Sequence, residues 1–113
     1  MSLSVDSQAE PLVAVVEAVG EVDLATVPKL REEISAHIVA GRTNLLVDLR
    51  AVTYLDSTGL GVLVGAAKAV RAAGGSLRLV CDNPRLLRLL RITGLDKALA
   101  VHATVESALA DGR

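Results

Sequence analysis

The stretch Tyr54-Leu55-Asp56-Ser57-Thr58-Gly59-Leu60-Gly61 decides the fold, because it joins a short apolar run to a helical pattern. Upstream, Asn44 to Leu49 (Asn-Leu-Leu-Val-Asp-Leu) reads as a central strand. Downstream, Leu60, Leu63, Val64, Ala67 and Val70 fall on one helical face, and Gly74-Gly75 stops the helix. Ser76 to Cys81 then reads as another strand. A strand, a helix and a second strand in this order make a crossover unit, in which the two strands lie parallel.

Working outward, the same alternation continues on both sides. Toward the N-terminus, Leu3 to Val5 reads as a short edge strand and Gln8 to Pro11 as a polar turn. Val-rich Leu12 to Val19 is a strand near enough to pair with it as a hairpin. Gly20-Glu21-Val22-Asp23 follows as a loop, and Thr26 or Asp23 caps a helix that tolerates Pro28 in its first turn. Val27, Leu30, Ile34 and Ile38 are its inner face; Lys29, Arg31, Glu32 and Glu33 are its wet face; Gly41 ends it. Toward the C-terminus, Asn83-Pro84 starts a helix with Leu86, Leu87 and Leu90 inward, and Gly94 is its left-handed cap. A short strand at Ala100 to His102 and a helix from Thr104 to Ala110 complete the pattern. The order β-β-α-β-α-β-α-β-α predicts an α/β domain with a mixed, mostly parallel sheet of four to five strands and about four helices, over residues 1–113.

Composition limits what such a domain can do. The chain has 113 residues, enough for one core and too few for two. It has no Phe or Trp and a single Tyr, so the core is aliphatic and no aromatic platform for single-stranded nucleic acid exists. A net charge of −1 gives no basic field to attract phosphate backbones, so no nucleic-acid partner is expected. A lone Cys81 forms no internal disulfide and builds no thiolate metal site. The start Met-Ser-Leu-Ser-Val-Asp does not resemble a signal peptide, and no apolar run approaches the ~20 residues of a membrane span. These features predict a cytoplasmic protein without a membrane partner.

The chemistry concentrates at the carboxyl end of the central strand, where parallel sheets gather functional groups. Ser57 or Thr58 caps the following helix, whose free N–H groups form a local positive end. Capping alone accounts for Asp56, Ser57 and Thr58, since helix starts prefer these residues. It does not account for Gly59, Gly61 and Gly65, each costing about 1 kcal/mol relative to Ala inside a helix. A close approach to the helix backbone, by the sheet or by a partner, is the reason that would retain them. Catalytic alternatives fail on spacing. Asp56-Ser57-Thr58-Gly59 separates Asp from Gly by one residue more than an aspartic-protease motif and lacks a second lobe. Ser57 is outside any Gly-x-Ser-x-Gly elbow, and Gly59-Leu60-Gly61 lacks the third glycine of a dinucleotide fingerprint. His37 and His102 have no ligand spacing, so no metal, cofactor or enzymatic activity is expected. Arg85, Arg88 and Arg91, with Arg78 nearby, form a basic stripe that is either a solvated face or a secondary docking surface. Cys81 reads as a small buried hydrophobe.

With those residues in view, the chain resembles the STAS domain family, and within it the bacterial anti-sigma factor antagonists. Gly20-Glu21-Val22-Asp23 is similar to the family's Gly-Glu-Leu/Val-Asp loop, and Leu46-Val47-Asp48-Leu49 to its central strand. Asp56-Ser57-Thr58-Gly59-Leu60-Gly61-Val62-Leu63 is similar to its signature helix start, and Thr93-Gly94-Leu95 and Ser107-Ala108-Leu109 to its C-terminal half. The resemblance implies a phosphoacceptor serine at the position of Ser57. It implies a partner, an anti-sigma factor with a serine-kinase fold, that binds the unphosphorylated form, releases a sigma factor and then phosphorylates the serine with ATP. A metal-dependent serine phosphatase would reset the switch. Partner-binding residues would be Asp23, Asp56, Thr58, Gly59 and Gly61, with Asp23 lining the same surface as Ser57. Thr58 stands where Ser is common and Tyr54 where another large apolar residue is usual, which makes Thr58 a conceivable second acceptor. The alternative is a STAS scaffold or ligand-sensing subunit that is not regulated by phosphorylation.

Overall fold

The computed structural model describes residues 3–9 and 13–110. Five strands form one sheet in the order β1-β2-β3-β4-β5, which is also their order along the chain. They are β1 (Leu3–Ala9), β2 (Ala14–Val22), β3 (Asn44–Leu55), β4 (Ser76–Val80) and β5 (Ala100–His102). The β1–β2 pair is antiparallel and the other three pairs are parallel, as the alternation of strands and helices requires. The helices are α1 (Val27–Val39), α2 (Ser57–Ala72), α3 (Pro84–Ile92), α4 (Leu95–Ala98) and α5 (Val105–Ala110). Among the described residues there is thus one helix more than the four expected. Gly94 adopts φ 79° and ends α3 as anticipated, but the chain then turns once more as α4.

The main core is aliphatic. Ala14, Val16 and Ala18 from β2 and Leu45, Val47 and Leu49 from β3 meet Leu30, Leu63, Val70 and Leu90 from the helices, all fully buried. A smaller cluster of Leu46, Val80 and Ala108 lies apart from it, with Val13, Val15 and Val105 packed on its edge. Arg78 belongs here rather than to the basic stripe. It is buried, and its Nη1 donates to the Ala108 carbonyl of α5 at 2.6 Å. The three arginines of α3 are exposed, and Cys81 is buried, with burial pushing its thiol pKa up.

Strand limits differ from expectation in an instructive way. β1 extends through Ala9, so Gln8 and Ala9 are strand rather than turn, while Glu10 to Leu12 lie outside the described residues. Gly20 to Val22 are the end of β2, not a loop. β3 runs six residues past Leu49, to Leu55. Its residues in the main core are Leu45, Val47, Leu49, Val52 and Leu55, so the spacing of two becomes three. The register explains this: Glu17 pairs with Asp48 but Val19 with Ala51, and Gly20 pairs with Val52 but Glu21 with Tyr54. Each shift places an extra residue on β3 and reverses the alternation beyond it.

Candidate functional site

The two shifts bring Val22 and Leu55 side by side as register partners at the carboxyl ends of β2 and β3. The ladder continues one step, with the Asp56 N–H donating to the Val22 carbonyl at 3.2 Å. Asp23 and Asp56 therefore follow neighbouring strand ends, and each opens a turn into a helix.

The Asp23 turn is closed. Its Oδ1 accepts the N–H groups of Ala25 and Thr26, both at 3.0 Å. The Thr26 hydroxyl donates to the Glu21 carbonyl at 2.7 Å and accepts the Asp23 N–H at 3.0 Å. Thr26 holds the N-cap position of α1, but its hydroxyl is spent on this turn and caps nothing. Asp23 is 6% exposed, and its Oδ2 is buried without a hydrogen-bond partner among the described residues. The expectation that Asp23 lines the surface around Ser57 is corrected: its carboxylate holds the loop, and what the loop presents is Leu24, 75% exposed.

The Asp56 turn is open. Asp56, not Ser57 or Thr58, is the N-cap of α2, its Oδ1 accepting the Gly59 N–H at 3.1 Å. This frees both hydroxyls. Ser57 is exposed, Thr58 half-buried, and the Ser57 hydroxyl makes no hydrogen bond among the described residues. The first N–H groups of α2 lie beside it, so an anion on its oxygen meets a favourable helix end.

The three glycines of α2 divide between two faces. Gly59 is buried, and a Cβ there would stand 2.5 Å from Leu55 Cδ1 and 2.7 Å from Val22 Cγ1. Its small size seats the start of α2 on the sheet, so as a contact residue for a partner it is corrected: it faces the core. Beyond the adjoining backbone of their own helix and their chain neighbours, Gly61 and Gly65 have no described atom within 4 Å of where a Cβ would be. They line a groove of about 510 Å³ between α1 and α2, together with Ser57 and Thr58 on one wall and Arg31 and Ile38 on the other. The groove runs in mostly apolar surroundings, with Ser57 at the start of one wall. Sequence periodicity assigned Arg31 to a solvated face and gave no sign that α1 and α2 leave a space between them. Only the missing side chains of Gly61 and Gly65 hinted at it.

Other titratable groups lie elsewhere. Asp48 forms a bidentate pair with Arg50, at 3.0 Å and 2.8 Å; burial opposes the carboxylate, but the Arg50 hydrogen bonds and charge hold its pKa below the ordinary value. His37 is buried near the end of α1, where burial and then the Arg42 charge lower its pKa. His102 Nδ1 lies 2.9 Å from Ser107 Oγ. None of these residues lines the groove. No group of three or more potential metal-ligating side chains occurs among the described residues.

Comparisons with known proteins converge on the same site-bearing fold. The STAS domain family matches residues 4–108. An anti-sigma-B factor antagonist of Bacillus subtilis is 40% identical over 106 residues, covering 94% of this chain and 96% of that protein. One from Listeria monocytogenes is 43% identical over 82 residues, covering 73% of this chain and 72% of that protein. The crystal structure of an anti-sigma factor antagonist from Mycobacterium paratuberculosis superposes with a TM-score of 0.89 at 31% identity, covering 96% of this chain and 92% of that one. With the mixed five-stranded sheet and the serine-bearing helix start in place, the chain belongs to the STAS domain family.

Proposed function

We propose that this chain is an anti-sigma factor antagonist that works by partner switching in the cytoplasm. Unphosphorylated, it binds an anti-sigma factor of serine-kinase fold and so releases a sigma factor. The kinase transfers the γ-phosphoryl group of ATP to Ser57 Oγ, ADP leaves, the hydroxyl proton is lost, and the complex dissociates. A serine phosphatase returns the hydroxyl by hydrolysis. The chain itself binds rather than catalyses. The observation that carries this reading is the exposed Ser57 hydroxyl at the start of α2, without a hydrogen bond among the described residues and beside an open groove. The names of the relatives with 40% and 43% identity support it.

The physics of the switch is local. Phosphorylation adds about −1.5 to −2 charges. At a helix N-terminus the domain tolerates them, because free N–H groups and the helix dipole favour an anion. The penalty falls on the partner, which packs against Ser57, Thr58 and Gly61 and would have to bury the phosphate. Asp56 adds a negative charge next to Ser57 in the chain, and Asp23 holds Leu24 out toward the visitor. Losing about 3 kcal/mol of binding weakens affinity roughly a hundredfold.

The test is titration calorimetry with the anti-sigma factor from the same genome, using the unmodified chain, Ser57→Ala and Ser57→Asp. Ser57→Ala should bind as the unmodified chain does, and Ser57→Asp should lose about a hundredfold. Equal binding by all three rejects the switch. Intact mass spectrometry after incubation with that partner and ATP should show one added phosphoryl group, mapped to Ser57 rather than Thr58. The groove favours one second reading, a scaffold or ligand-sensing subunit, in which a small apolar molecule occupies it and Ser57→Asp changes no partner.

A further inference from the structure

Arg31 lines, from α1, the groove that Ser57 and Thr58 line from α2. α1 and α2 each follow one of two adjacent parallel strands, so both run from the same edge of the sheet, and Arg31, five residues into α1, stands near the start of the facing helix. Arg31 is exposed and makes no hydrogen bond or ion pair among the described residues. Neither turn supplies a cation: Asp56 precedes Ser57 in its own turn, and Asp23, in the adjacent turn, is buried. An unpaired guanidinium thus shares a cavity with an unpaired hydroxyl, and α1 supplies the cation that the α2 turn lacks.

We infer that Arg31 is the intramolecular counter-charge of the phosphorylated state: the Ser57 phosphate, once made, is held by the Arg31 guanidinium across the groove. This rests on the reading of Ser57 as the acceptor. A guanidinium is suited to the role because its planar fork donates two parallel hydrogen bonds to phosphate oxygens. The pair spans the groove at the end where Ser57 stands. Phosphorylation then acts twice, by placing charge at the docking surface and by drawing a side chain across the space a partner would enter. The modified chain becomes a stable resting form, with its two helices tied together.

The experiment uses the full chain with phosphoserine installed at position 57 during translation, so that no kinase is needed. ³¹P NMR titration follows the second ionisation of the phosphate, ordinarily near about pH 6. In the parent chain this ionisation should occur at least about half a unit lower than in Arg31→Gln, because the adjacent cation favours the dianion. Arg31→Lys should recover most of that difference, and Arg88→Gln, which removes the same charge from α3, should leave the parent value unchanged. The urea midpoint should rise more on phosphorylation in the parent than in Arg31→Gln, where only the helix N-terminus favours the phosphate. Coincident titration curves for the parent and Arg31→Gln overturn the pairing while leaving the switch intact. Failure of the anti-sigma factor to modify Ser57 rejects the switch without touching the pairing.

Discussion

Helices α1 and α2 form the two walls of one groove, and each starts behind an aspartate at adjacent strand ends, yet they are built on different principles. The α1 start is closed: Asp23 is buried, two backbone N–H groups share its Oδ1, and the Thr26 hydroxyl is committed within the same turn. The α2 start is open: Asp56 gives its carboxylate to one N–H and leaves the next hydroxyl, Ser57, to solvent. α1 contains no glycine, whereas α2 contains Gly59, Gly61 and Gly65. One wall is a fixed frame and the other presents an accessible group. The lesson is that the same residue type at equivalent topological positions serves structure in one case and access in the other, and burial decides which.

The largest effect should come from breaking the closed turn. Asp23→Ala removes a buried acceptor of two N–H groups and should lower unfolding stability by about 2–3 kcal/mol. Asp56→Ala removes one cap bond at a half-buried site and should cost about 1 kcal/mol. Urea denaturation of the two variants checks the difference, and equal losses would break the contrast between closed and open starts.

A smaller effect separates the glycines. Gly59→Ala places a methyl group against Leu55 and the stiff, branched Val22, and should destabilise by about 1–2 kcal/mol after the gain in helix propensity. Gly61→Ala points its methyl into open groove and should stabilise by up to about 1 kcal/mol while narrowing the space for a partner. Thermal melts give the sign of each change. A stabilised Gly59→Ala would mean that the close approach of α2 to the sheet is not what retains this glycine.

Much of this architecture was legible in the sequence, because aliphatic periodicity and capping residues report local geometry directly. Asn83-Pro84, Gly41, Gly74 and Gly94 end or start helices where their chemistry places them, and the last three have φ values of 86°, 85° and 79°. The end of β3 was hidden because two register shifts break its alternation, leaving Thr53 and Tyr54 exposed in a row. The sequence does not separate Asp56, the cap of α2, from Ser57 or Thr58, since Asp, Ser and Thr all suit that position and only the backbone conformation distinguishes them. Arg78 was invisible as a buried residue because its partner, the Ala108 carbonyl, is 30 positions away. Ser57 was legible as the accessible hydroxyl, but Arg31 was not, because a groove is a property of two packed helices and neither sequence segment encodes it alone.

The far ends of the two helices carry the comparison to its smallest expected effect. α2 ends with Arg71 and the glycine pair, whereas α1 ends on the buried imidazole of His37. Arg42 Nε donates to His37 Nδ1 at 2.9 Å, which requires a neutral ring with its proton on Nε2, and Nε2 is buried without a partner among the described residues. Burial first, then the Arg42 charge, depress the pKa, and Glu33 opposes them only in part. The folded state therefore resists protonation more than the unfolded chain does. Stability from this group is complete above the ordinary imidazole value near about 6.5 and declines as pH falls toward the depressed folded value. The depressed Asp48 carboxylate contributes stability that starts to be lost only as pH falls through the ordinary carboxylate value, well below the ordinary imidazole value where the His37 contribution starts to decline. Thermal melts across weakly acidic pH should show the parent losing stability where His37→Gln, which still offers Arg42 an acceptor, stays flat. A slope that survives His37→Gln would assign the pH sensitivity to another part of the molecule and leave the two helices alike at this end.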